Sequence, residues 1–404
     1  MPEPTSLQIS PADRAFWDCS FDNRLANFES LRKRESIEFH AEDSGPGFWS
    51  VVSYDDIVRI ERDPETFSNA KGFTIMDMPA EILEFAASIV AMDNPRHRRL
   101  RNIVQSAFTM KAVTELQTNI ALYADHIVDE LPSTGQFEFV DLVSNRLPLY
   151  VICELLGIPE SDRQVILRLA DEVVGATDQT FSHSPGGSNA LAEIYGYALD
   201  LGNRRLADPT DDLTSRLVHA TVDGDRLTPS EFGSFVILLV TAGGDTARQA
   251  ISWALHLLSE NPGKRDVLLE DFDTHIGPAI EEIVRWSSPV PYMRRTATRE
   301  VQIGGATIAE GDKVVLWYLS GNHDERVFSE PDTFDFTRSN VSAHIGFGAR
   351  GPHHCLGANL ARVEIGSMLR SLFTRYPDLR SVGRPELALS AFTSGITSLP
   401  AQLS

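Results

Sequence analysis

Hydrophobic positions in the middle of the chain recur at the three- and four-residue spacing of amphipathic helices. Residues 36 to 62, with Ser36–His40 and Phe48–Val52, instead alternate apolar and polar side chains as strands do. Helix therefore dominates, with a small β component expected mainly near 36–62 and 290–404. The clearest element runs from Thr228 to Asn261. Thr228-Pro229-Ser230-Glu231 forms a capping box with proline at the first helical position, Phe232–Leu258 carries almost no charge before Asp245, and Asn261-Pro262 ends the run. A helix of about 32 residues is about 48 Å long, so it is predicted to be buried and to cross the molecule.

In the middle of that helix stands Ala242-Gly243-Gly244-Asp245-Thr246. Two helical glycines cost about 1 kcal/mol each relative to alanine, and an acid in an apolar setting adds a desolvation cost. Two readings account for the defect. Small residues permit a close helix crossing, or the helix opens locally and presents a hydroxyl beside a carboxyl, suited to holding water and relaying protons. Elsewhere, turn-rich Phe181–Ser188 separates two helical patterns with the composition of a lid or a plain surface loop. With no repeat, low-complexity tract or long linker, a single domain over residues 1–404 is expected.

With 404 residues, 42% of them hydrophobic, the chain can bury a large core. Its formal charge of −21 argues against binding nucleic acid or anionic membrane through bulk electrostatics. The first thirty residues lack the basic-then-apolar pattern of a signal, and no uncharged apolar run of about 18 residues occurs. A cytoplasmic protein without a membrane anchor is expected. Cys19, Cys153 and Cys355 are too few and too scattered for a disulfide framework, so each needs its own explanation.

Cys355 has the most informative surroundings. The glycine-rich run from Phe347 to Gly357 (FGARGPHHCLG) leads into a helical pattern from Ala358, placing the thiol at or just before a helix N-terminus. There the macrodipole and free backbone N–H groups favour an anion and are expected to lower the thiol pKa. Three readings follow: a zinc site with His353 and His354, a catalytic cysteine, or an axial haem ligand. Adjacent His-His-Cys fits a tetrahedral ion poorly, and no CxxC or HxxxH pair exists to complete one. Upstream, Glu282 and Arg285 stand three apart on one predicted helix face, and Pro331–Arg338 supplies a second arginine, Arg338, from an aromatic-rich loop.

Together these elements resemble the cytochrome P450 superfamily over nearly the whole chain and in the family's order: His97 and Arg101 after Asp93-Asn94-Pro95, then Ala242–Thr246, Glu282–Arg285, Pro331–Arg338 and the cysteine loop. The resemblance is to a soluble bacterial member. It implies the cytochrome P450 fold, mainly α with a small β component and a long central helix over haem b. It implies that Cys355 is the thiolate ligand to iron, which favours O–O cleavage. Asp245 and Thr246 match the family's acid-alcohol pair for proton delivery, and Glu282, Arg285 and Arg338 match a structural triad on the proximal side. His97, Arg101, Arg295 and His353 match the positions that bind the haem propionates, anions that call for charge-assisted donors.

The implied reaction is insertion of one atom of O₂ into a hydrophobic small molecule, by hydroxylation or epoxidation, with electrons from ferredoxin and ferredoxin reductase; the protein is expected to be a monomer. Arg96, Arg98, Arg99 and Arg350 would form a cationic patch where an acidic donor docks. Pocket candidates by analogy are Phe73, Ile75, Met76, Met78, Val240, Ala242, Val290, Met293, Phe392 and Thr393, mostly apolar, which points to a steroid, terpenoid, lipid or polyketide-like substrate. One departure stands out: Phe347 and Cys355 are eight residues apart where the family has seven, so one residue within Gly348–Gly351 is extra. Some bacterial members that oxidise steroids and lipids have a similarly lengthened loop. Alternatives are a peroxide-driven peroxygenase, whose members generally lack the acid-alcohol pair, and a non-enzymatic haem-thiolate sensor.

Overall fold

The computed structural model describes residues 9–34, 37–43, 45–86, 88–177, 187–221, 224 and 226–403, with helices carrying most of the chain and short strands the rest. The central helix runs Pro229–Glu260. At its start the Glu231 N–H donates to the Thr228 hydroxyl at 3.1 Å, and the Glu231 carboxylate accepts the Thr228 N–H at 3.0 Å. Buried along most of its length, it packs on helices Leu147–Leu156, Gly187–Ala207 and Ala358–Arg375, where its apolar face finds the cover that its composition demands.

This helix is α through Ala242–Thr246, so the local opening predicted there is not seen as a break. What remains of it is one bond: the Thr246 hydroxyl donates to the Ala242 carbonyl at 2.9 Å. A Cβ on Gly243 would stand 2.8 Å from Ile152 Cδ1, whereas one on Gly244 would meet nothing within 4 Å. Close crossing thus explains the first glycine. Gly243→Val is expected to force the two helices apart at about 1–3 kcal/mol, while Gly244→Ala stabilises by up to about 1 kcal/mol. Paired thermal melts check this; a Gly243→Val melt equal to the parent's would refute the crossing.

A five-stranded sheet runs in the order Glu38–His40, Phe48–Val51, Lys313–Trp317, Tyr292–Ala297, Phe67–Ser68. Its second and third strands are parallel and the other pairs antiparallel. The β content also includes Gly135–Glu138, paired with Pro400–Leu403, so it is not confined to the two expected regions. Within 36–62 the strand-like reading fails over Tyr54–Glu61, which is helical. Ser53 accepts the Asp56 N–H at 3.3 Å, and Asp55 and Asp56 complement the positive helix start.

Strand alternation then sorts three neighbouring side chains. Met293 and Arg295 face a cavity, while Arg294 turns away to Asp77 at 2.6 Å. Lys313 reaches the same acid, and Glu42, at 3.0 Å each. Residues 181–186 of the turn-rich segment lie outside the described residues. Among the described residues no single helix is long and apolar enough to cross a membrane.

Candidate functional site

The central helix presents Leu238, Ala242, Thr246 and Ala250 to the cavity, which has a volume of about 260 Å³. Their four-residue spacing is the helix's own period. Asp245, one step and about 100° round the helix, does not border it: its carboxylate is buried, bonded to Arg248 and accepting from Gln249 Nε2 at 3.3 Å. The structure therefore brings the hydroxyl of the predicted acid-alcohol pair to the cavity and turns the carboxyl toward Arg248, which also bonds Asn145 at 3.2 Å.

Cys355 lies three residues before helix Ala358–Arg375, its N–H donating to the Phe347 carbonyl at 2.8 Å. Enclosed by the fold, its side chain is nonetheless exposed, because what it faces is the cavity. The predicted fall in thiol pKa is overturned. Burial pushes it up, and the Gly357 N–H, Arg101 and Arg362 offset that only in part. Desolvation of a buried anion outweighs these groups. Burial likewise drives Cys153 to about 12 and raises Cys19.

The other candidates gather at the rim. His97, His353, Arg101 and Arg295 all border the cavity. The two imidazoles sit 4.1 Å apart, and Arg101 donates to the His354 carbonyl at 2.6 Å. His97 Nε2 is buried with no hydrogen-bond partner, an arrangement that costs free energy unless a ligand completes it. Burial, then Arg101, lowers His97 to about 4, and burial, then Arg295, lowers His353 to about 2. Both are therefore neutral donors beside two permanent cations. A soft thiol on one wall, a hydroxyl on the opposing helix and an anion-seeking rim fit a haem: Cys355 would hold the iron, and His97, Arg101, Arg295 and His353 the propionates.

Glu282, Arg285 and Arg338 meet in a buried knot. Arg285 holds Glu282 through Nε at 2.7 Å and Nη2 at 2.9 Å, and Arg338 Nε reaches it at 3.2 Å. Both members of the first pair have no exposed side-chain surface. Of the pocket candidates, Ala242, Val290 and Met293 line the cavity. Phe73, Ile75, Met76, Met78, Val240, Phe392 and Thr393 do not. Val240 is off the helix stripe, Phe73 and Phe392 pack on each other with tilted rings at 5.8 Å, and Ile75 is tied by its N–H to the Tyr292 hydroxyl. The charge of the expected cationic patch is also partly offset: Arg96, itself exposed, is paired with Glu84 at 2.6 Å and Arg99 with Glu231, while Arg98 and Arg350 are exposed.

Sequence reasoning passed over Glu61, which lies against Arg295, and Tyr318 and Glu364, which border the cavity. Glu364 is 2% exposed, and burial raises its pKa well above the carboxylate range. Only Glu364's place on the helix that follows Cys355 offered a signal. Within the loop, Arg350 lies in the left-handed region at φ 58° and is followed by Gly351, whose Cβ would stand 2.2 Å from the Glu61 carbonyl.

Comparison with known proteins agrees with this geometry. The cytochrome P450 family model matches residues 201–380. A methyl-branched lipid omega-hydroxylase of Mycobacterium tuberculosis is 40% identical over 99% of this chain and 95% of its own. A steroid C26-monooxygenase of Mycolicibacterium smegmatis is 33% identical over 96% and 92%. Among solved structures, a Mycobacterium marinum cytochrome P450 in complex with pseudoionone superimposes with a TM-score of 0.90 at 38% identity, over 96% of each chain. The chain belongs to the cytochrome P450 family and is a haem-iron monooxygenase acting on hydrophobic substrates.

Proposed function

We propose that this monooxygenase hydroxylates a terminal methyl group of a branched or sterol-like lipid. The observation that carries the reading is the cavity wall, where Ile89, Leu238, Leu239, Val290 and Met293 offer a mainly aliphatic surface beside Thr246; burying a hydrocarbon there gains about 25 cal/mol per Å². The two relatives named above, a lipid omega-hydroxylase and a steroid C26-monooxygenase, support the same substrate class. When bound, haem b supplies the oxidation, in which O₂, two electrons and two protons convert R–H to R–OH and water. In this reading Cys355 ligates the iron and His97, Arg101, Arg295 and His353 anchor the propionates. Asp245 and Thr246 move protons, and the Glu282 knot braces the proximal side. Electrons come from a ferredoxin and its reductase at the face carrying Arg98 and Arg350. The protein works as a cytoplasmic monomer, one domain over residues 1–404.

Titrating the enzyme with branched fatty acids, sterols, terpenoids and macrocycles tests the substrate class. Branched lipids or sterols are expected to give the low-to-high-spin shift in the absorption spectrum. A shift confined to macrocycles would overturn the proposal. Thr246→Ala removes the one hydroxyl of the pair that reaches the cavity. Electron consumption should continue while product per electron falls several-fold and hydrogen peroxide rises; coupling equal to the parent's would show that Thr246 holds no needed proton.

A further inference from the structure

Arg295 reaches the cavity with a counter-ion already in place. Its guanidinium is bonded to the Glu61 carboxylate, and the Tyr318 hydroxyl donates to the same oxygen at 2.6 Å. Glu61 is 4% exposed, Arg295 3% and Tyr318 4%, so this is no screened surface pair. A buried carboxylate survives only through partners that repay its desolvation. Arg295 and Tyr318 border the cavity, whereas Glu61 stands behind them. It ends helix Tyr54–Glu61, where the lengthened cysteine loop closes over it: Gly351 packs on its carbonyl, and Arg62 Nε donates to the Ala349 carbonyl at 3.2 Å.

A guanidinium has five N–H donors. One of Arg295's goes to the Arg294 carbonyl at 2.8 Å and one to Glu61, which leaves donors for an anion in the cavity. We infer that Glu61 is a positioning residue, an internal counter-ion that satisfies Arg295 in the cofactor-free protein and shares it with a haem propionate in the loaded one. The inference rests on the haem reading above. Two consequences follow from Coulomb's law at low dielectric. Part of Arg295's attraction for the propionate is already engaged by Glu61, and a fixed buried anion just behind the cavity wall would favour the more positive, oxidised state of an iron held in the cavity.

The test compares the holoenzyme with Glu61→Gln and Tyr318→Phe, reading haem transfer to apomyoglobin and the iron reduction potential in a spectroelectrochemical cell. Glu61→Gln, nearly isosteric and uncharged, is expected to lose haem more slowly and to show a more positive potential. Tyr318→Phe keeps the charge and takes a hydrogen bond from it, so its haem loss should be no slower and its potential no more positive than the parent's. Faster haem loss with an unmoved potential in Glu61→Gln would reduce Glu61 to a brace and overturn the inference. If Glu61→Gln does not accumulate, slower loss or a raised potential in Tyr318→Phe overturns it equally. The parent's reduced, CO-bound spectrum separates the two failures. Without a red-shifted Soret band the haem-thiolate reading itself falls; with the band present, only the counter-ion is at stake.

Discussion

Cys355→Ala is expected to abolish the red-shifted Soret band of the reduced, CO-bound protein and, with it, all hydroxylation. The expectation follows from the local balance of charge. Cys355 borders the cavity at the start of helix Ala358–Arg375, with the Gly357 N–H, Arg101 and Arg362 favouring its charged form against the burial that opposes it. Cys19 and Cys153 offer no substitute, since neither borders the cavity. The fold should survive, because the Cys355 side chain faces the cavity and not the core. Circular dichroism would therefore match the parent while the spectrum changes. A normal CO band in the mutant would remove the central assignment.

The second large effect concerns the buried Glu282 knot. Glu282→Gln leaves Arg285 with no exposed surface and no full counter-charge, and it also weakens the links to Arg338 and to the Asp335 N–H, which donates to Glu282 at 2.7 Å. Removing one partner from a buried ion pair costs about 3–5 kcal/mol, a large share of the roughly 5–15 kcal/mol that holds a domain together. Little soluble holoprotein is expected, with a denaturant midpoint far below the parent's. Arg285→Lys should fare little better, since an ammonium cannot reproduce two parallel bonds to Glu282 and a third to the Asn322 carbonyl at 2.7 Å. Parent-like midpoints in both variants would mean that the knot is not what braces this side.

Features set by local spacing were legible in the sequence. The Thr228–Glu231 capping box and the Glu282–Arg285 pair depend on residues three apart on one helix, and both appear with the expected contacts. Features set by which way an element turns were not. Val240 and Ala242 look equivalent in sequence, yet the helix rotates only Ala242 onto the cavity. Segment 73–78 looked like a pocket wall, but Lys313 and Arg294 clamp it to the sheet through Asp77 and the Ile75 carbonyl. Glu61 gave no sign, because an acid in the run Tyr54–Arg62 reads as solvated face until tertiary packing buries it beside Arg295. The Cys355 thiol shows the converse: the helix terminus was visible, but the burial that outweighs it was not.

The stripe Leu238, Ala242, Thr246 turns the central helix into a ruler. Its marks fall about 6 Å apart along the axis, all on the face that borders the cavity. A bulkier residue at one mark takes up space at that point of the cavity, so single substitutions there are expected to change which molecules fit. Changes one residue off the scale, as at Val240, alter packing instead of selectivity. A library aimed at new substrates therefore starts from Leu238 and Ala242, with Thr246 kept for its hydroxyl.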